Sequence, residues 1–207
     1  MSLHYTASRF LLGGLLGALS GWEVRGRENI PSSGGLIVAS NHISYWDPPL
    51  VSIAAVREMY FLAKEELFRP PVFGQLIRAY NAIPIRRGVV DMSGLSKAKD
   101  VLRAGRALIM FPEGTRARDG ELHAARPGVG FLAVATDARI VPTYVTGSDR
   151  PGQWLFRRVK PRVWFGPSRT WRELAGPDAE LEPGRALYQS VGAGVMREIA
   201  ALKGLAG

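Results

Sequence analysis

Apolar positions along this chain fall into short runs that alternate with stretches of helical spacing. Runs at 36–39, 60–63, 82–85, 107–110, 140–145 and 162–165 are four to six residues long, rich in branched residues and bounded by turn formers, so they read as strands. Helical patterns occupy 48–56, 71–77, 92–103, 130–136 and the C-terminal stretch. In that last stretch Tyr188, Val191, Val195, Ile199 and Leu202 recur at helical spacing and are expected to face the core. Strands alternating with helices, each strand apolar on both faces, predict an α/β fold: a single domain with a mixed, largely buried β-sheet flanked by helices. Ligand sites in such sheets gather at strand ends.

At the first strand exit stands Asn41-His42-Ile43-Ser44-Tyr45-Trp46-Asp47-Pro48-Pro49. His42 is one of only three histidines in the 207 residues, and a carboxylate follows five positions later. Positions five apart do not stack on a helix, so a loop has to bring the pair together. Asp47 before Pro48 reads as an acidic N-cap with proline at the first helical position. From there its carboxylate reaches one imidazole nitrogen and leaves the other free to take a proton from a substrate hydroxyl. Taken alone, the pair also fits a surface histidine beside an ordinary helix cap. Two more strand ends carry chemistry. One runs into Phe111-Pro112-Glu113-Gly114-Thr115-Arg116, whose turn offers a hydroxyl, a guanidinium and sterically open backbone, as phosphate recognition requires. The other, 82–85, ends in Arg86-Arg87-Gly88.

In these motifs the chain resembles the PlsC-like glycerolipid acyltransferases of the 1-acylglycerol-3-phosphate acyltransferase type. The family's Asn-His-x-Ser-x-x-Asp motif is complete at Asn41, His42, Ser44 and Asp47. Its apolar strand ending in arginine matches Ile83 to Arg87, its Phe-Pro-Glu-Gly-Thr-Arg motif is complete from Phe111 to Arg116, and its late Val-Pro is Val141-Pro142. The likeness covers residues 22–165. It departs at Asn81, where the family usually has glycine, at Arg86, at Ala117 in place of a common serine, and at Arg126, where lysine is frequent. The resemblance implies acyl transfer from acyl-CoA or acyl carrier protein to the hydroxyl of a lysophospholipid, with no cofactor and no metal. 1-Acylglycerol 3-phosphate, giving phosphatidic acid, is the leading acceptor; glycerol 3-phosphate and other lysolipids are alternatives. His42 is the expected base and Asp47 its orienting partner. Arg87, Gly114, Thr115, Arg116 and Arg126 are expected to bind the acceptor phosphate, and Glu113 to orient the arginines or the acceptor hydroxyl. Asn41 and Ser44 are expected to fix the loop and help hold the tetrahedral oxyanion, a task backbone N–H groups perform equally well.

Charge and the N-terminus add a location. The chain carries 27 Lys and Arg against 18 Asp and Glu, a formal charge of +9, and no cysteine, which excludes disulfides, thiolate catalysis and cysteine-ligated zinc. Between Asp149 and Glu173 there is no acid, while arginines and lysines interleave with Trp154, Phe156, Trp164, Phe165 and Trp171. This is either a patch facing an anionic membrane surface or a solvated basic face with its aromatics packed inside. No nucleic-acid module pattern accompanies it, so no nucleic-acid partner is expected. Residues 10–19 are apolar but too short for a comfortable span of about 20 residues. Residues 1–21 are read as a membrane-interface helix and 22–207 as the acyltransferase domain, peripheral or monotopic on the cytoplasmic face. Packing on the protein's own core, or a signal peptide cleaved near Ala18-Leu19-Ser20, would explain the same residues. Two other functions use these features: a thioesterase-like hydrolase with the same dyad, and a non-catalytic basic membrane-binding module. The chain lacks a Gly-x-Ser-x-Gly elbow, which counts against the hydrolase.

Overall fold

A computed structural model describes residues 3–86, 91–154 and 157–206. Seven strands form one sheet: β1 (Glu23–Arg25), β2 (Leu36–Ser40), β3 (Met59–Lys64), β4 (Ala82–Ile85), β5 (Ala107–Met110), β6 (Arg139–Thr146) and β7 (Arg162–Phe165), in the order β1-β7-β6-β2-β5-β3-β4. All neighbours run parallel except β6 and β7, so the sheet is mixed, as expected. Helices are α1 (Leu3–Ser20), α2 (Asp47–Ala54), α3 (Pro71–Ala79), α4 (Met92–Arg103), α5 (Gly128–Thr136), α6 (Trp171–Ala175) and α7 (Arg185–Ala206).

The alternation of side chains along the strands divides the core into two layers. Ile37, Ala39, Leu108, Met110 and Ile140 face α4, α5, α6 and α7. Leu36, Val38, Ala107, Ile109 and Val141 face α2, with Leu16 of α1 packed behind. Both faces being covered explains why the central strands read as unbroken apolar runs. On α7, Leu187, Val191, Val195 and Ile199 are buried, whereas Tyr188 and Leu202 are only half-buried at the margin of that layer.

Local signals set the helix starts. Asp91 caps α4 by accepting from the N–H groups of Ser93 and Gly94 at 3.1 and 3.2 Å. Thr170 and Glu173 form a reciprocal capping box that begins the short α6, an element the apolar pattern did not reveal. Asn81 sits at φ +64°, with its amide donating to Glu58 at 2.9 Å. That backbone conformation explains why glycine is usual there and why asparagine, which tolerates the left-handed region, replaces it.

β2 and β5 are neighbours, yet β2 leads to α2 on one face and β5 leads to α5 on the other. The chain thus diverges above the carboxyl ends of these two strands and opens a crevice there, the topological switch point of the sheet. Both principal motifs lie at its rim.

Helix α1 packs on α2 through buried Tyr5 and half-buried Leu16, while Phe10, Leu11, Leu12, Leu15 and Leu19 stay exposed. Among the described residues no helix is long and apolar enough to cross a membrane. In the acid-free segment Trp154, Trp164, Phe165 and Trp171 are all buried, so the aromatics serve the core; Phe156 lies outside the described residues. Several of the basic residues there have acidic partners: Arg162 meets Glu23, Arg169 meets Glu198 and Arg172 meets Asp137.

Candidate active site

The loop from β2 to α2 folds back on Asp47. Helix α2 begins at Asp47 with Trp46 as its N-cap, so Asp47 is the first helical residue and not the cap expected from the sequence. The reason is the destination of its carboxylate: it points back into the loop instead of onto its own helix. Asp47 Oδ2 accepts from the backbone N–H groups of Ile43 at 2.7 Å and Ser44 at 2.8 Å, and lies 2.8 Å from His42 Nδ1. Oδ1 accepts the hydroxyl proton of Ser148. Asp47 is fully buried and His42 is 4% exposed.

An ionised carboxylate has no proton to give, so Nδ1 is the donor of the His42–Asp47 bond and Nε2 carries the lone pair. Among the described residues Nε2 has no hydrogen-bond partner. Phe111 stacks on the imidazole at 4.0 Å between ring centroids and fixes its plane. An imidazole held this way by a buried acid has the geometry that general-base chemistry requires.

The loop after β5 is tied to the same histidine. Ala117 N–H donates to His42 O at 2.7 Å. Glu113, 5% exposed, accepts from His42 N–H through one oxygen and from His123 N–H through the other, each at 3.3 Å. Burial pushes its carboxyl above the ordinary range, and these two N–H groups partly offset the rise. The expected contact of Glu113 with arginines is not found among the described residues; its oxygens hold the two loops together. Gly114, at φ +74°, spends its N–H on Phe111 O at 3.0 Å. Its missing side chain matters instead: a Cβ there would stand 2.7 Å from Arg126 Cδ and Nε. Arg126 therefore lies over the turn, anchored by its own N–H to Pro112 O at 2.8 Å. Arg116 stacks over the Tyr45 ring at 3.6 Å, and Thr115 is exposed.

Asn41 is 2% exposed and makes two bonds to one residue of the neighbouring strand: its amide nitrogen donates to Val145 O at 2.9 Å, and its oxygen accepts from Val145 N–H at 2.7 Å. It continues the β2–β6 ladder past its last backbone pair and so aims His42. Ser44 accepts from Trp46 N–H at 3.2 Å, which shapes the same turn. Arg86 is exposed and 3.8 Å from Asp91; Arg87 lies outside the described residues. The structure thus gathers His42, Asp47, Asn41, Ser44, Glu113, Gly114 and Arg126 at one rim, with Arg116 and Thr115 at its mouth. Ser148, which the sequence reading missed, joins them from the end of β6. Its only signal was a Gly-Ser step leaving a strand adjacent to β2.

A family model described as Acyltransferase matches residues 21–146, which hold both rim loops and the end of β6. The chain belongs to the Acyltransferase family. It is 32% identical over 149 residues to the 1-acyl-sn-glycerol-3-phosphate acyltransferase of Streptococcus pneumoniae, covering 70% of this chain and 55% of the relative. With the enzyme of that name from Borreliella burgdorferi the identity is 31% over 121 residues, 58% of this chain and 48% of the other. The chain therefore spans about half the length of these curated relatives. Among solved structures, the crystal structure of the 1-acyl-sn-glycerophosphate (LPA) acyltransferase PlsC from Thermotoga maritima superposes with a TM-score of 0.65 at 25% identity, covering 98% of this chain and 84% of that one.

Proposed function

We propose that this acyltransferase-family chain moves a fatty acyl group from acyl-CoA or acyl carrier protein to the free hydroxyl of 1-acylglycerol 3-phosphate, giving phosphatidic acid. The observation that carries the reading is the buried His42–Asp47 pair, 2.8 Å apart, beside an arginine-bearing turn. The relatives' names supply the acceptor.

His42 Nε2 takes the proton of the acceptor hydroxyl as its oxygen attacks the thioester carbonyl carbon. Asp47 steadies the imidazolium that forms. The tetrahedral intermediate collapses, the C–S bond breaks, and the leaving thiolate takes the proton back from His42. The thioester is already activated, so no covalent acyl-enzyme, metal or cofactor is needed. Arg116, Arg126 and Thr115 hold the acceptor phosphate, with Arg87 completing the set. Glu113 keeps base and phosphate grip in register. The exposed leucines of α1 lie in the lipid interface on the cytoplasmic face, and the net charge of +9 favours anionic lipid.

The test uses purified protein, labelled acyl-CoA or acyl carrier protein, and a panel of lysophosphatidic acid, glycerol 3-phosphate, lysophosphatidylcholine and no acceptor, resolved by lipid chromatography. The reading expects phosphatidic acid as the main product. Free fatty acid as the main product with every acceptor would make the chain a hydrolase and sink the proposal.

A further inference from the structure

The Asp47 carboxylate has two oxygens, and the loop that carries it accounts for only one. Oδ2 collects three donors, all from residues 42–44. Oδ1 faces the other way, toward the end of β6, where the donor is the hydroxyl of Ser148. Both residues are fully buried, so water does not stand in for either partner. Residues 47 and 148 are far apart in sequence, and the bond spans two adjacent parallel strands.

The local backbone aims Ser148 at this position. β6 ends at Thr146, and Gly147 follows at φ +73°, a conformation that turns the chain inward. A Cβ at residue 147 would stand 2.8 Å from Lys160 O, so the turn packs tightly on the chain that leads back to β7. Trp154 Nε1–H donates to Gly147 O at 2.8 Å and closes the turn from outside, while its ring meets Trp46, the residue before Asp47, edge-on at 5.5 Å. Two contacts thus join the end of β6 to the loop that presents the base: a hydroxyl on the carboxylate and an indole on its neighbour.

From this geometry we infer that Ser148 is a positioning residue of the dyad. Its hydroxyl on Oδ1 stops the carboxylate from rotating about its Cβ–Cγ bond, keeps Oδ2 on the imidazole and so fixes the Nδ1–H tautomer of His42. The inference rests on His42 acting as the base under the proposed function. The chemistry needs this because a general base works only in the tautomer whose lone pair faces the substrate. Without Ser148, Oδ1 would be a buried carboxylate oxygen with no donor, and the group would twist about Cβ–Cγ in search of one, drawing Oδ2 off the imidazole.

The experiment reads the tautomer directly and does not depend on turnover. The chain has three histidines, so protein labelled with 15N-histidine gives a spectrum in which His42 is assignable by loss in His42→Ala. Wild type is expected to show a downfield Nδ1–H proton and an unprotonated Nε2. Ser148→Ala is expected to broaden or lose that proton and move the two nitrogen shifts toward each other. In parallel, kcat is expected to fall about tenfold, the cost of one mispositioned hydrogen bond, with KM for the acceptor within twofold of wild type. Ser148→Thr keeps the hydroxyl and restores both readouts. Should the alanine variant fail to fold, near-isosteric Ser148→Cys carries the test, since a thiol is a weak donor. A folded Ala or Cys variant that keeps the wild-type His42 spectrum overturns the inference. If no acyl transfer is found at all, the proposed function fails, while the spectra still decide whether Ser148 holds the dyad.

Discussion

Replacing Asn41 with alanine separates a structural from a catalytic account of the motif's first residue. The Asn41 side chain makes two bonds to Val145, at 2.9 and 2.7 Å, at a site 2% exposed. Alanine removes both and strands a buried N–H and a buried C=O on Val145. Each net bond contributes about 1 kcal/mol, and a buried group left without a partner costs about 1–3 kcal/mol. The sum, allowing for partial relaxation, is about 2–4 kcal/mol. Urea denaturation followed by circular dichroism measures it as a lowered midpoint with an unchanged slope. Asn41→Asp keeps an acceptor for the Val145 N–H but sets a carboxylate against the Val145 carbonyl, so it is expected to be no better than alanine. Activity falls too, because the loop that bears His42 loses its anchor. If Asn41→Ala unfolds within about 0.5 kcal/mol of wild type, the ordinary range for an inert surface change, while kcat drops tenfold or more, the residue acts on the substrate and the reasoning fails.

Three further outcomes are expected. Burial raises the Glu113 carboxyl, so the folded protein keeps its proton at pH values where the unfolded chain has released it. Stability therefore declines as pH climbs above the ordinary carboxyl value of 4.5. Glu113→Gln removes that decline, and calorimetric melting curves of variant and wild type that stay parallel from pH 4 to 7 would contradict it. Gly114→Ala costs about 1–2 kcal/mol for its left-handed backbone and pushes Arg126 off the turn. It is expected to raise KM for a phosphate-bearing acceptor about tenfold with little change in kcat, the effect of losing one charged contact; an unchanged KM would remove Arg126 from the phosphate site. At the opposite end of the sheet, Arg57 donates to the carbonyls of Pro31, Ser33, Gly34 and Gly105. Arg57→Ala should cost about 1–3 kcal/mol with kcat intact, checked by thermal melting beside the acyl-transfer assay.

Much of the fold was legible because the sheet is buried on both faces, which leaves six of its seven strands as apolar runs. The exceptions have physical causes. β1 is three residues long and half-buried at the edge, too short for any period to show. α6 is five residues long, too short to show a repeat, and the capping box that starts it is evident only in the structure. At the site, His42 and Asp47 were legible because a loop between them was the only way they could meet. The start of α2 was misplaced by one residue because capping rules assume that an acidic side chain serves its own helix, and Asp47 serves the loop instead. Ser148 was out of reach because its contact is made across strands, which no local pattern encodes. The tryptophans of the basic segment illustrate the reverse: interleaving with arginine suggests a surface, but the rings of Trp154, Trp164 and Trp171 are buried.

The central claim is that His42 is the base of an acyl transfer, and its most direct test is the turnover of His42→Ala beside wild type. Labelled acyl-CoA and lysophosphatidic acid are the substrates, and a melting curve confirms the fold. The account expects kcat to fall by about 10²–10⁴, the usual contribution of a positioned general base, with the acceptor KM little changed. A folded His42→Ala protein that still forms phosphatidic acid within threefold of the wild-type rate would contradict it.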